Sequence, residues 1–273
     1  MGLAAQLPFD HRFAGGFPGL SSQPLPTDAD AIDYLTRVAA ADGAGVEVSV
    51  AVAVDAFVRD LKATPGLFSA LKACCILAGA RTLAGALVPV VGDAPTNVAN
   101  GFVEGDYTRG GATPGLTGDG TSYIDSGRPG TADGQNDHHI AFHSTTGCGN
   151  TWPIGVRHAV SPNVYTLAGY TFFSRTSSAL GGGTNPPAGT FGTSRSEPGS
   201  FNTMYASGAV QNYVAPSLAA VNDDTHFVFA FNQSGAAYKT TGTIAFYSIG
   251  TSLSLEDLDT AVTNLITAIG EAL

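Results

Sequence analysis

Apolar positions along the chain fall into two regimes, one with the spacing of a helix and one with the alternation of a strand. In TDADAIDYLTRVAAADG, Ile32, Leu35 and Val38 recur at helical spacing. Thr27 can cap the start, acids fill the first turn and Gly43 stops the run, so a helix is predicted. The next segment, VEVSVAVAVDAFVRDLKATPG, carries both patterns: Val46, Val48, Val50, Val52 and Val54 alternate, while Val50, Val54, Phe57, Val58 and Leu61 form a helical stripe. The stripe runs on to the break at Pro65 and Gly66, which predicts a helix from about Val48. LFSALKACCI reads as a further short helix.

Beyond Gly85 the helical period is lost until Ser254. Apolar runs then alternate between turn clusters, as in TSYIDSG, HHIAFHS, VYTLAGYTFFSR, HFVFAFNQ and GTIAFYSIG. Many short alternating strands predict a mainly β, antiparallel β-sandwich. At the end, Ser254 can cap a helix with Asp257 three residues on, and Leu255, Leu258, Val262, Leu265, Ile266 and Ile269 form one apolar stripe. That stripe must pack on the sandwich or on another subunit. The organisation expected is an extended arm over residues 1–27, a small helical region over 28–84, and a sandwich over 85–273 with a C-terminal helix at 254–272. No fixed-period repeat is visible. The arm carries Gly15, Gly16, Pro18, Gly19, Pro24 and Pro26, which do not support regular structure.

Composition agrees with a turn-rich β protein. Gly (35) and Pro (15) are abundant and charged residues make up only 12%, so Ser, Thr, Asn, Gln and Gly must cover the surface. The net charge of -10 removes the electrostatic footprint that nucleic acid binding needs. Cys74, Cys75 and Cys148 have no framework spacing and read as small buried hydrophobes in a reducing compartment, with no disulfide. MGLAAQLPFDHRFAGG has neither a basic n-region nor an apolar h-region, which argues against a secretory signal, and it is a poor myristoylation match. The longest apolar stretches, ACCILAGA and LAGALVPVVG, fall far short of the roughly 18 residues of a membrane span, so a soluble protein is expected.

The densest candidate chemistry is DHHIAFHS, with His138, His139 and His143. On a strand His138, Ile140 and Phe142 share one face and His139, Ala141 and His143 the other. The backbones of His139 and His143 are then roughly 13 Å apart, too far for one ion with metal-to-nitrogen distances of about 2 Å. The stretch therefore reads as strand scaffold or an exposed polar face, and His158 and His226 as structural. Glu104 and Asp106 in VEGDYT share one side of an extended segment. Glucanases on a concanavalin-like sandwich carry a third acid soon after such a pair, but here Tyr107, Thr108 and Arg109 follow. Two exposed acids beside a turn is the better reading.

Asp119 and Asp125, and the Asn222–Asp224 cluster, could supply calcium oxygens but lack a full ligand loop and read as turns. No G-x-S-x-G elbow, P-loop or paired Cys-x-x-Cys is present. Catalytic, cofactor-binding and metal residues are therefore expected to be none. Trp152, Tyr165, Tyr170, Tyr205 and Tyr213 are candidates for sugar contact, although aromatics in strands more often pack, and no binding face stands out.

Three stretches carry a family resemblance: CCILAGARTLAGALVPVVG, GLTGDGTSYIDSG and GTIAFYSIGTSLSLEDLDTAVTNLITAI. Together they resemble bacteriophage virion proteins with a concanavalin A-like, laminin G-like sandwich behind a short helical region. Gly118, Gly120, Tyr123, Ile124, Asp125 and Gly127 fit an early strand of such domains, and Phe246 to Gly250 fit the end of the fold. The resemblance implies a non-enzymatic virion structural protein, assembled in the host cytoplasm and located in the particle. Its expected role is a tail fibre, baseplate or adsorption component touching host surface glycan. A capsid decoration protein is the alternative, and a glycan depolymerase of the same fold a third reading. Expected partners are other virion proteins and further copies of the chain, with neither nucleic acid nor membrane.

Overall fold

A computed structural model describes residues 25–98, 101–160, 163–181, 183 and 187–273. The arm expected over residues 1–27 lies, apart from its last three residues, outside the described residues.

The first helix, Ala29–Asp42, is capped by Asp28 rather than Thr27. The Asp28 carboxylate accepts from Asp30 N at 2.9 Å and Ala31 N at 3.3 Å, and it also takes the Lys62 ammonium at 2.6 Å. An acid satisfies the orphan amides and complements the positive end of the helix, so it wins over the neighbouring hydroxyl. Gly43 ends the helix at φ 71°, a left-handed conformation that favours glycine. The second helix is Val48–Ala63, and its stripe of Val50, Val54, Phe57, Val58 and Leu61 is buried, as the helical spacing predicts.

The third stretch differs from expectation. Only Leu67–Ala70 is helical, and Leu71–Ile76 is a strand. It pairs antiparallel with Thr243–Gly250 on one side and with Pro89–Val91 on the other. Ala73 to Ile76 are all buried, so both faces are apolar and neither period can be read from them. The sheet thus begins upstream of residue 85.

Two antiparallel sheets form a β-sandwich. The first runs Gln211–Val214, Ser200–Met204, Gly189–Arg195, His138–Ser144, Thr243–Gly250, Leu71–Ile76 and Pro89–Val91, with Gly115–Thr117 added to Thr243–Gly250 and Tyr107–Thr108 to Gly115–Thr117. The second runs Leu180–Gly181, Thr171–Thr176, Asn163–Ala168, Ile154–Val160, Thr225–Val228, Tyr123–Pro129 and Thr96–Val98. A short hairpin of Phe231–Asn232 and Ala236–Ala237 joins it beside Val156. The mainly β sandwich with N-terminal helices and a C-terminal helix is as the periodicities predict.

The C-terminal helix, Leu255–Ala272, is capped by Ser254, whose hydroxyl accepts from Asp257 N at 3.2 Å. Its stripe packs with the second helix against the first sheet, where Phe57 meets Phe246 edge-on at 5.8 Å. A Cβ on Gly192 would lie 2.9 Å from Leu255 Cδ2 and 3.0 Å from Ala141 Cβ, so two small residues on adjacent strands seat the start of this helix. The molecule is therefore three layers, helices over the first sheet over the second. No helix among the described residues is long and apolar enough to cross a membrane.

Candidate functional site

The central strand His138–Ser144 is buried at every position, because helices cover one face and the second sheet the other. His138, Ile140 and Phe142 face the second sheet: His138 Nε2 meets Ser174 Oγ of that sheet at 2.7 Å, and Phe142 stacks on its cross-strand neighbour Phe191 at 5.0 Å. His139 and His143 face the helices. The ring of His139 is held by Thr251 O at 2.5 Å and Ser248 Oγ at 3.1 Å, that of His143 by Thr190 Oγ1 at 2.9 Å. The neighbouring imidazoles diverge as the pleat requires, and the alternative of an exposed polar face does not hold. Among the described residues no three His, Cys, Asp or Glu side chains form a metal-ligand group.

Glu104 and Asp106 lie in a one-turn 3-10 helix, Glu104–Asp106, rather than an extended segment. The Glu104 carboxylate accepts from Leu83 N at 3.0 Å, at the start of the short helix Leu83–Ala86, and Asp106 Oδ2 accepts from Val103 N at 2.9 Å. Both carboxylates thus serve to hold local backbone amides. Asp119 behaves similarly, taking the amides and hydroxyls of Thr121 and Ser122 at 2.6–3.0 Å. The Ser122 amide and the Thr121 hydroxyl hold its carboxyl well below the usual carboxylate range. Asp125 Oδ1 accepts from Gly127 N at 2.9 Å, and Asp224 from Asn222 Nδ2 at 2.5 Å. Cys74, Cys75 and Cys148 are buried and free.

Three of the five aromatic candidates come together on the outward face of the second sheet. Strand register puts Phe173 opposite Leu167, and Tyr165 opposite Arg157, on that face. The rings of Phe173 and Tyr165 are 5.1 Å apart, those of Tyr165 and Phe231 5.8 Å, and those of Phe231 and Trp152 6.0 Å. Trp152 then meets Tyr238 edge-on at 4.6 Å and Tyr170 at 6.4 Å. Trp152 Nε1 donates to Thr171 Oγ1 at 2.7 Å, which fixes the indole plane. The result is a continuous band of six rings. Phe231 is its buried anchor, Trp152, Tyr165, Tyr170 and Phe173 are half-buried, and Tyr238 is 55% exposed.

Tyr205 and Tyr213 are elsewhere. Tyr205 packs on Phe172 and Phe191, and Tyr213 packs on Phe201 with its hydroxyl donating to Ala179 O at 3.2 Å.

The loop that contributes Phe231 and Tyr238 to the band is backbone-strained. Phe229 (φ 69°), Ser234 (φ 60°) and Tyr238 (φ 51°) all adopt left-handed conformations without being glycine. Such conformations cost of order 1 kcal/mol or more each and persist where the surroundings enforce them, often at binding sites. Phe173 was within reach of sequence reasoning, since it alternates with Phe172 in a strand next to Tyr165. Tyr238 was not, because GAAYKTTG has no period to place it.

A separate cleft of about 550 Å³ opens where the end of the C-terminal helix leaves the first sheet. His143, Thr145, Pro114, Ile266, Gly270 and Glu271 line it.

No family model matches the sequence, and no curated protein sequence matches it. Among solved structures, the chain is similar to domain 4 of AbnA, a GH43 extracellular arabinanase from Geobacillus stearothermophilus, in complex with arabinotriose. Identity is 15%, covering 70% of this chain and 98% of that one, at a TM-score of 0.41. It is also similar to the CBM40 of the Ruminococcus gnavus IT-sialidase, at 13% identity, 45% and 80% coverage and a TM-score of 0.32. A Trypanosoma rangeli sialidase mutant displaying trans-sialidase activity aligns at 11% identity over 79% of this chain and 39% of that one, at a TM-score of 0.37.

Proposed function

We propose that this is a non-enzymatic structural protein of a phage particle, a tail-fibre, baseplate or adsorption component whose second sheet touches host surface glycan. The observation that carries the glycan contact is the half-exposed aromatic band, pinned by Phe231 and by the Trp152 to Thr171 hydrogen bond. Flat rings held in place present large apolar area at little entropic cost, which suits the C–H faces of sugar rings. The engagement of Glu104 and Asp106 with backbone amides supports a binding rather than a hydrolytic role. Assignment to the particle rests on the sequence resemblance, as do the expected partners, other virion proteins and further copies of the chain. The proposed location is the virion, assembled in the host cytoplasm.

Trp152 is the chain's one tryptophan, so its emission reports directly on the band. Titrating the protein with surface glycan purified from the host should give a saturable change in that emission. Tyr238→Ala should weaken binding by about 1 kcal/mol, roughly fivefold, with an unchanged melting temperature. A flat titration across the host's glycans would sink the reading. Antibody counting on intact particles separates the two architectural roles, since a decoration protein is present in hundreds of copies and a tail component in a few dozen or fewer.

A further inference from the structure

We infer that the glycan taken by this face is an anionic saccharide, and that Arg157 is the residue that selects it. This rests on the glycan-contact reading and specifies the chemistry of the same site. The chain has only 12 basic residues against 22 acids, and it commits most of those described to internal partners. Arg37, Arg59, Lys62, Arg81, Arg109 and Arg128 are each ion-paired with Asp or Glu. Arg175 and Arg195 are buried and donate to backbone carbonyls. Among the described residues, three basic side chains remain with neither an ion pair nor a buried carbonyl nest: Lys72, Arg157 and Lys239. Two of those three flank the aromatic band.

Arg157 lies directly across from Tyr165 in the register of the outward face. Its Nη2 donates a long hydrogen bond to Ser234 Oγ at 3.3 Å, on the strained loop between Phe231 and Tyr238; its Nε is buried without a partner, so the outer edge of the guanidinium is the part a ligand can reach. A guanidinium has five N–H donors in a planar fork and is stable beside an aromatic surface only if an acceptor or water takes them. Lys239, next to Tyr238, holds its ammonium 5.6 Å over the ring of Tyr123, which itself lies 4.6 Å from Phe227 on the same face. Asp125 accepts from the Gly127 amide, Asp223 from the Thr131 hydroxyl and Asp224 from the Asn222 side-chain amide, and among the described residues none of the three is ion-paired with Arg157 or Lys239. In a chain of net charge -10, two cations without a carboxylate partner beside an apolar band of rings point to a ligand that brings its own negative charge.

The test is an array of neutral, carboxylated, sulfated and phosphorylated oligosaccharides, probed with the full chain and with Arg157→Gln, Arg157→Lys and Tyr238→Ala, each checked for an unchanged melt. The expected result is binding confined to anionic sugars, weakened about tenfold or more by Arg157→Gln, partly kept by Arg157→Lys and reduced by added salt. The bound class identifies which acidic group is read. Binding to neutral and anionic sugars alike, insensitive to Arg157→Gln, would overturn the inference while leaving glycan contact intact. Anionic binding that survives both Arg157→Gln and Tyr238→Ala would move the ligand off this face and overturn it too. Silence of the whole array overturns both readings at once.

Discussion

Between the two sheets the core is unusually basic at one end. His138, His158, His226, Arg175 and Arg195 are all buried there, and Arg128 and Asp133 form an ion pair at 2.6 Å beside them. His158 Nε2 meets Thr166 Oγ1 at 2.7 Å, and its ring centre is 6.2 Å from that of His226. Burial, reinforced by the Arg175 charge, pushes His226 down to about 3 and holds His138 and His158 well below the ordinary histidine value; burial brings His139 to about 4. Below pH 6.5 an unfolded chain binds protons that the folded one refuses, so stability falls as pH drops from 6.5 towards 3 and is indifferent to these groups above 6.5. His226 alone removes about 2 kcal/mol at pH 5 relative to pH 7. Urea midpoints measured from pH 7.5 to 4.5 should decline steeply below 6.5, and His226→Leu should flatten part of that slope. Equal slopes in the two proteins would show that His226 does not contribute to the acid limit.

At the scale of elements, legibility followed from whether one face of the segment is wet. The second and C-terminal helices each have an exposed side, so their stripes stand out and were readable from Val50 to Leu61 and from Leu255 to Ile269; the first helix was readable as a helix, but its buried face is Ala31, Tyr34 and Val38, one position off the expected Ile32 and Leu35, which are half-buried. Ala73 to Ile76 in the strand Leu71–Ile76 are covered on both faces and have no contrast to read. His138–Ser144 was recognisable as a strand, yet its burial was not, because the helix that covers His139 and His143 comes from the far end of the chain. The band was partly legible for the same reason: Trp152, Tyr165 and Tyr170 flank or lie in recognisable strands, whereas Tyr238 depends on a loop conformation. Gly192 shows packing overruling local preference. Valine normally suits a strand and glycine weakens one. Here a Cβ would sit 3.0 Å from Ala141 Cβ and from Ile140 O. Gly192→Val should therefore destabilise by about 1–3 kcal/mol, read as a lowered denaturant midpoint at constant m-value. A gain in stability would mean that strand preference dominates and that Leu255 can move aside.

For the whole molecule, the order of layers decides which surface is free for a partner. The second and C-terminal helices occupy the outer face of the first sheet, burying Leu258, Val262, Leu265 and Ile269 against it, and the inter-sheet face is filled by Phe142, Phe172, Phe191 and the polar cluster. The outward face of the second sheet, partly covered by the loop from Phe231 to Tyr238, is where the half-exposed rings and Arg157 and Lys239 lie. The two halves of the molecule should then separate experimentally. Ending the chain at residue 253 removes the layer over Gly192 and Ala141 and takes away the second helix's packing partner. It should abolish the cooperative melt or drop it far below that of the full chain, since the burial of Leu258, Val262, Leu265 and Ile269 is lost and the surface beneath them is uncovered, a loss comparable to the roughly 5–15 kcal/mol of net stability a domain holds. Tyr238→Ala on the opposite face should leave the melt where it was. If the shortened chain melted as cooperatively as the full one, the C-terminal helix would be an accessory rather than the third layer, and the first sheet's outer face would become a rival surface for ligand.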